Sequence, residues 1–248
     1  METDASPVYS KPFFELQLCF AQKVANVSQQ PLEQTLLHFT ALYRILGMDW
    51  SLDSTNPVWQ AYIQGLQQAS EKVDFTHQFY LQRYQTIPKF TDEEHWGCFA
   101  YGYNPDTRAI RLHFSDQDTS LYGPLSHHRI DVRKSELRKM FQQIKQRHLD
   151  VKLVQGGSWL YNWGSYTRLF PAAFGQSAKR EERPHLAGRA IWGQFLRRGW
   201  SVHQETVSLF LQRVSQLERV EDYPQCFPYP VLQTEAPIHL FYAFYAVD

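Results

Sequence analysis

Val151-Lys-Leu-Val-Gln-Gly-Gly-Ser-Trp-Leu-Tyr-Asn-Trp-Gly-Ser-Tyr-Thr-Arg-Leu-Phe-Pro171 is the stretch that decides how this chain is read. Val151 to Val154 is a short β-like run. Gly156-Gly157-Ser158 follows, and small residues let a backbone approach a neighbour closely. Two tryptophans, two tyrosines, Asn162 and Arg168 come next. Ser165 to Phe170 reads as a short helix stopped by Pro171. A strand that runs into a small-residue turn and a helix fits an α+β protein.

Upstream, Gly97 to Tyr103 and Ala109 to Phe114 are aromatic and β-branched runs joined by Asn104-Pro105-Asp106-Thr107, which predicts a hairpin. In its second arm Ile110, Leu112 and Phe114 share one face, and Arg111 and His113 share the other. Between hairpin and strand, a polar loop over 115–126 precedes a helix over about 133–148. That helix has Leu137, Met140, Phe141 and Ile144 as its buried stripe and a basic outer face of Lys134, Arg138 and Lys145.

The first ninety residues read as about four helices. Pro12 suits a first turn, and Phe13, Leu16, Phe20 and Val24 form a stripe. A second helix runs from near Pro31 to Gly47. Asn56-Pro57 reads as the N-cap and first residue of a third, and Asp74 to Tyr84 is a fourth. Ala187 to Arg198 is expected to be helical, closed by Gly199, and Ser201 with Gln204 resembles a capping box for another helix. Gln176 to Pro184 reads as a mobile surface loop. Ile238 to Val247 is almost unbroken in apolar and aromatic residues and suits a strand covered on both faces.

The expected fold is therefore α+β: a helical N-terminal part packed with a small mixed sheet and further helices. With no linker-like stretch near residue 90, residues 1–248 read as one integrated domain, with 1–90 helical and 91–248 α+β as the subdivision.

Composition narrows the function. The 248 residues are 43% hydrophobic and 20% charged, which fits a soluble globular protein. Lys plus Arg and Asp plus Glu are both 25, so the global positive charge of a nucleic-acid binder is absent. Three scattered cysteines, Cys19, Cys98 and Cys226, suggest neither a disulfide framework nor a zinc site and point to the cytoplasm. The acidic, polar opening Met1-Glu2-Thr3-Asp4 is unlike a secretory signal, and the apolar runs are too short to span a bilayer.

No complete catalytic or cofactor motif is present, so no cofactor is assigned. Gly156-Gly157-Ser158 matches neither a P-loop nor a nucleophile elbow. It either exposes backbone N–H groups to a ligand, with Trp159, Tyr161, Asn162, Tyr166 and Arg168 around it, or marks a strand end against a neighbour. Ser126-His127-His128-Arg129 enters the basic helix, where Arg129 and Arg133 could hold an anion at the helix N-terminus or belong to a solvated face. Two adjacent histidines do not converge on one metal, and no metal site is expected.

The order of hairpin, basic helix entry, helix, strand, short helix and final strand resembles part of the acyl-CoA N-acyltransferase fold over the second half of the chain. The resemblance implies that 126–138 binds a cofactor pyrophosphate and that Asn162 and Tyr166 lie near the thioester. The family's glycine-containing pyrophosphate loop is missing from Leu125 to Arg129, and fold analogy alone does not fix function. Two readings follow. One is a small-molecule transferase with Arg129 and Arg133 on a phosphate, Tyr161 or Tyr166 as proton donor and His113 or His127 as base. The other is a non-catalytic ligand-binding or protein-interaction adaptor with an aromatic surface around 156–171. The small-molecule or protein partner is not identified by either.

Overall fold

Five helices open the chain in the computed structural model, which describes residues 8–87 and 94–247: α1 (Lys11–Ser28), α2 (Leu32–Phe39), α3 (Leu42–Ile45), α4 (Pro57–Gln68) and α5 (Lys72–Tyr84). The hairpin β1 (Phe99–Asn104) and β2 (Ala109–Phe114) follows, then α6 (Ile130–Arg147), β3 (Leu153–Ser158), α7 (Gly164–Thr167) and α8 (Ala172–Gln176). The chain ends with β4 (Lys179–Arg180), α9 (Arg189–Trp192), α10 (Gln204–Ser215), β5 (Leu232–Pro237) and α11 (Ile238–Tyr245). The composition is α+β, with a helical N-terminal part and further helices toward the C-terminus. Of the described residues, 8–87 with 182–229 form one compact unit, and 94–181 with 230–247 form the other.

In the first unit α1 buries Phe13, Phe14, Leu16, Phe20 and Val24. The helix expected to run unbroken from Pro31 to Gly47 is broken at Thr40, whose backbone is extended. A side chain from α1 makes the break: Gln17, fully buried, accepts from the Ala41 N–H at 2.9 Å and donates to Phe13 O. Thr40 Oγ1 donates to Leu36 O and accepts from the Leu42 N–H. The groups freed by the break are thus satisfied by side chains.

Asn56 caps α4 as expected, its Oδ1 accepting from Val58 N at 3.0 Å and Trp59 N at 3.4 Å, with Pro57 in the first turn. Asn56→Ala is expected to cost about 1 kcal/mol and lower the melting temperature by about 2–4 °C. An unchanged midpoint in a calorimetric scan contradicts this assignment.

Two later elements of this unit depart from expectation. Ala187 to Arg198 is helical only over α9, followed by a 3-10 turn at Gly193–Phe195. The chain then doubles back: Arg197 N–H donates to Ser201 O, Leu196 bridges Val202, and Gly199 and Trp200 are both left-handed. The N-cap of α10 is His203, not Ser201; its Nδ1 accepts from Thr206 N. The core beneath is aromatic, with Trp192, Phe195, Phe210 and Phe227 in mutual ring contact around Phe20.

The second unit is a five-stranded mixed sheet in the order β1-β2-β3-β5-β4. β2 and β3 are parallel, joined through α6; the other neighbours are antiparallel. The C-terminal strand expected over Ile238–Val247 is a helix, α11, and the strand is the six residues before it. Apolar content alone does not separate a buried helix from a buried strand. Here Pro237 takes the cap position, and Ile238, Phe241 and Tyr245 point inward at helical spacing. Phe141 of α6 stacks on Phe241 and Tyr245 at 5.0 and 5.2 Å.

The basic face of α6 is where α11 lands. Lys134 and Lys145 lie over the rings of Phe244 and Tyr242, and Arg138 and Lys145 donate to Ala246 O and Val247 O. Cations at the carbonyl end of a helix are where its dipole favours them. Within Gln176 to Pro184, expected as a loop, Lys179–Arg180 is a strand paired with Leu232–Gln233.

Candidate functional site

β3 divides the candidate residues between the two faces of the sheet. Gly156 points inward and pairs with Thr234, while Gly157 points outward and pairs with Gln233. Inside, a Cβ on Gly156 would collide with the Tyr161 hydroxyl and stand 2.6 Å from its Cζ. Glycine is there so that the phenol can lie against the strand. Outside, a Cβ on Gly157 would stand 2.6 Å from Arg111 Nη2 and 2.7 Å from Gln233 Oε1. Arg111 and His113 occupy that outer face, exposed.

Tyr161 and His113 therefore lie on opposite faces of the sheet. Tyr161 and Tyr166 are buried in the aromatic core, their rings 5.1 Å apart, with Phe170 and Phe174 around them. Burial pushes the Tyr161 phenol up to about 12, against hydrogen bonds with Thr234 and Tyr166 that pull it down. Burial, with Tyr161 beside it, raises Tyr166 well above the ordinary range. Both stay protonated near neutral pH. His113 lies on the opposite side of the sheet from Tyr161, and His127 stands at the start of the 3-10 turn before α6.

The other residues of the aromatic run hold the backbone in place. Ser158 Oγ accepts from Leu160 N, capping the 3-10 turn Trp159–Asn162. Asn162 donates to Trp159 O at 2.6 Å and Pro230 O at 2.8 Å. This pins a corner on which Trp159 and Trp163 meet edge to face at 5.7 Å, with Trp163 41% exposed. Arg168 ends α7 and donates to Leu125 O at 2.8 Å, tying the corner to the loop before α6.

Arg129 and Arg133 do converge, and they converge on carboxylates. Arg129 Nε lies 2.7 Å from Asp118 Oδ2, and Arg133 Nη2 lies 3.1 Å from the same oxygen and 2.8 Å from Glu136 Oε1. Arg133 is 2% exposed and also contacts Cys98 Sγ. Glu136 accepts from the Cys98 N–H. Burial raises Asp118, but hydrogen bonds from Ser120 and Arg129 and the charge of Arg133 outweigh it and hold the carboxyl at about 2.

This buried cluster fixes the loop over 115–126, whose tip faces water with Leu121 99% and Tyr122 53% exposed. His128 packs on Tyr122, ring centroids 4.6 Å apart. In the sequence the stretch over 115–126 reads only as a polar loop, and neither Asp118 nor Leu121 and Tyr122 stands out from it. The available signal was Leu121 beside Tyr122 in the middle of a mostly polar loop.

Among the described residues, no group of three or more His, Cys, Asp or Glu side chains is placed to hold a metal, and no helix is long and apolar enough to cross a membrane. No family model matches the chain, and neither a curated protein nor a solved structure matches it.

Proposed function

We propose that this protein is a non-catalytic binding protein that docks a protein partner through the second unit, using the Leu121–Tyr122 loop tip and the Trp159–Trp163 corner. One observation carries the reading: a loop that exposes a leucine and a tyrosine is held by a buried double ion pair at Asp118. Buried ion pairs bring little net stability over apolar packing, so their use here is conformational definition. Exposed apolar side chains on a fixed loop are what recognition uses. Arg168 joins the loop to the tryptophan corner, and aromatic anchors dominate interface energetics. The three cysteines, none in a disulfide, support a cytoplasmic setting for this partner.

The test is site-specific photo-crosslinking in the source cell, with the cross-linker at Leu121, at Trp163 and, as a control, at Leu149, which is 89% exposed in the same unit. A discrete adduct shared by positions 121 and 163 and missing at 149 is expected. The adducted protein, purified, then binds Leu121→Asp at least about tenfold more weakly than wild type. Identical adducts at all three positions, or none at 121 and 163, refute the reading.

A further inference from the structure

The helix α11 carries no Asp, Glu, Lys or Arg, yet cations border it. Its inward side chains, Ile238, Phe241 and Tyr245, are buried in the core of the second unit. The other side faces water. Phe244 is 41% exposed, His239, Ala243 and Ala246 are exposed, and Leu240 and Tyr242 are half-buried.

Lys134, Arg138 and Lys145 follow one another along α6 at steps of four and seven residues, which puts them on one stripe. Lys134 Nζ lies 5.4 Å from the ring centroid of Phe244, and Lys145 Nζ lies 5.2 Å from that of Tyr242. Arg138 donates to Ala246 O at 3.2 Å and Lys145 to Val247 O at 3.3 Å. Cations and rings are therefore interleaved in one patch. Among the described residues none of these cations forms an ion pair. The acids of α6 are Asp131 and Glu136, and Glu136 is held by Arg133. Carbonyl oxygens accept from Arg138 and Lys145 but do not cancel their charge.

Exposed rings beside uncompensated cations fit a partner that is apolar and anionic at the same depth. α11 offers little directional contact: its last carbonyls are taken by Arg138 and Lys145, and of its outward side chains only His239 and Tyr242 carry hydrogen-bonding atoms. Peptides and nucleic acids are recognised through many directed hydrogen bonds. The surface of an anionic bilayer is not. There apolar side chains enter the boundary of the acyl chains, while Lys and Arg stems carry their charges to the phosphates. With eight residues α11 is too short to span a bilayer and can only lie on one.

We propose that α11 and the stripe of Lys134, Arg138 and Lys145 form a docking surface for anionic phospholipid membranes, with Phe244 entering the interface. The surface shares no residue with the Leu121–Tyr122 tip or the Trp159–Trp163 corner, and it does not depend on their role.

The experiment is flotation of the full chain with vesicles of phosphatidylcholine alone and of phosphatidylcholine with one third phosphatidylserine, at low and high salt. Flotation with the serine lipid only, reduced by salt, is expected. Lys134→Gln and Arg138→Gln should each weaken binding by about fivefold, and Phe244→Ala by about tenfold. These side chains lie at the surface, and circular dichroism melts confirm that the variants are folded at the assay temperature. Arg197→Gln, at an exposed position of the first unit, should leave binding unchanged. Three results overturn the proposal: no flotation with either lipid, the same flotation with both, or a loss in Arg197→Gln equal to that in Arg138→Gln. Retention on polyglutamate or single-stranded RNA with none on vesicles overturns it as well and assigns the patch to an acidic polymer.

Discussion

Arg133→Met is expected to lower stability by about 3–5 kcal/mol, roughly 10 °C or more in melting temperature. The methionine replaces the stem of the arginine but not its charge. Asp118, whose side chain is 2% exposed, and Glu136 are left facing each other without their shared cation. Uncompensated buried charge is what makes the loss large. The pH dependence is the discriminating part. Asp118 is depressed from an ordinary 3.8 to about 2, so in the wild type its contribution, about 2 kcal/mol, is present above pH 4 and lost as pH falls toward 2. Glu136 is raised by burial against the pull of the Cys98 N–H and Arg133, so its term runs the other way. It favours the fold below its ordinary range and is lost as pH rises through the raised value. Without Arg133, Glu136 loses the cation that opposes its protonation while Asp118 keeps only Arg129 and Ser120, so the defect is largest near pH 7 and shrinks toward pH 3. Urea midpoints of wild type and variant at pH 7 and 3 measure this. A pH-independent difference would show that the arginine acts by packing alone.

Local chemistry was readable where the partners are local. Asn56 caps a helix whose first N–H groups lie two and three residues on, and Asn104 turns a hairpin whose arms flank it. The stripe of α6 and the strand β3 also follow from their own periodicity. What escaped depends on residues far along the chain. The break at Thr40 is made by Gln17, and the fate of the basic face of α6 is set by a helix a hundred residues later.

The same holds for the candidate site. Residue types in the 155–171 run left open a ligand site or a strand end against a neighbour, because type does not reveal face. Alternation along β3 sends Gly156 and Tyr161 into the core and Gly157 toward Arg111. Arg129 and Arg133 looked like an anion site because their carboxylate partner lies eleven and fifteen residues away in a loop of undefined shape. Polar residues were visible in the sequence; whether their hydrogen bonds were already spent was not.

Gly156→Ala is expected to destabilise the protein by about 2–3 kcal/mol, whereas Gly157→Ala, one residue on in the same strand, should cost less than about 1 kcal/mol. Both positions look crowded when a Cβ is added, so the difference lies in what must yield. At Gly156 the obstacles are the Tyr161 hydroxyl and Thr234 Oγ1, the latter 2.9 Å from the added carbon. Tyr161 is wedged among Tyr166, Phe170 and Phe174 and has no room to retreat. At Gly157 the obstacles are the ends of Arg111 and Gln233, flexible side chains at the outer face that can swing aside. Alanine also loses less backbone entropy on folding than glycine, which partly offsets the crowding there. A double-mutant cycle isolates the contact. Tyr161→Phe deletes the oxygen that the new methyl meets, so Gly156→Ala should cost at least about 1 kcal/mol less in that background. Additive effects of Gly156→Ala and Tyr161→Phe in chemical denaturation, or equal tolerance of alanine at 156 and 157, would mean that the inward glycine is not there to admit the phenol. The aromatic run would then have to be held in the core by something other than this strand.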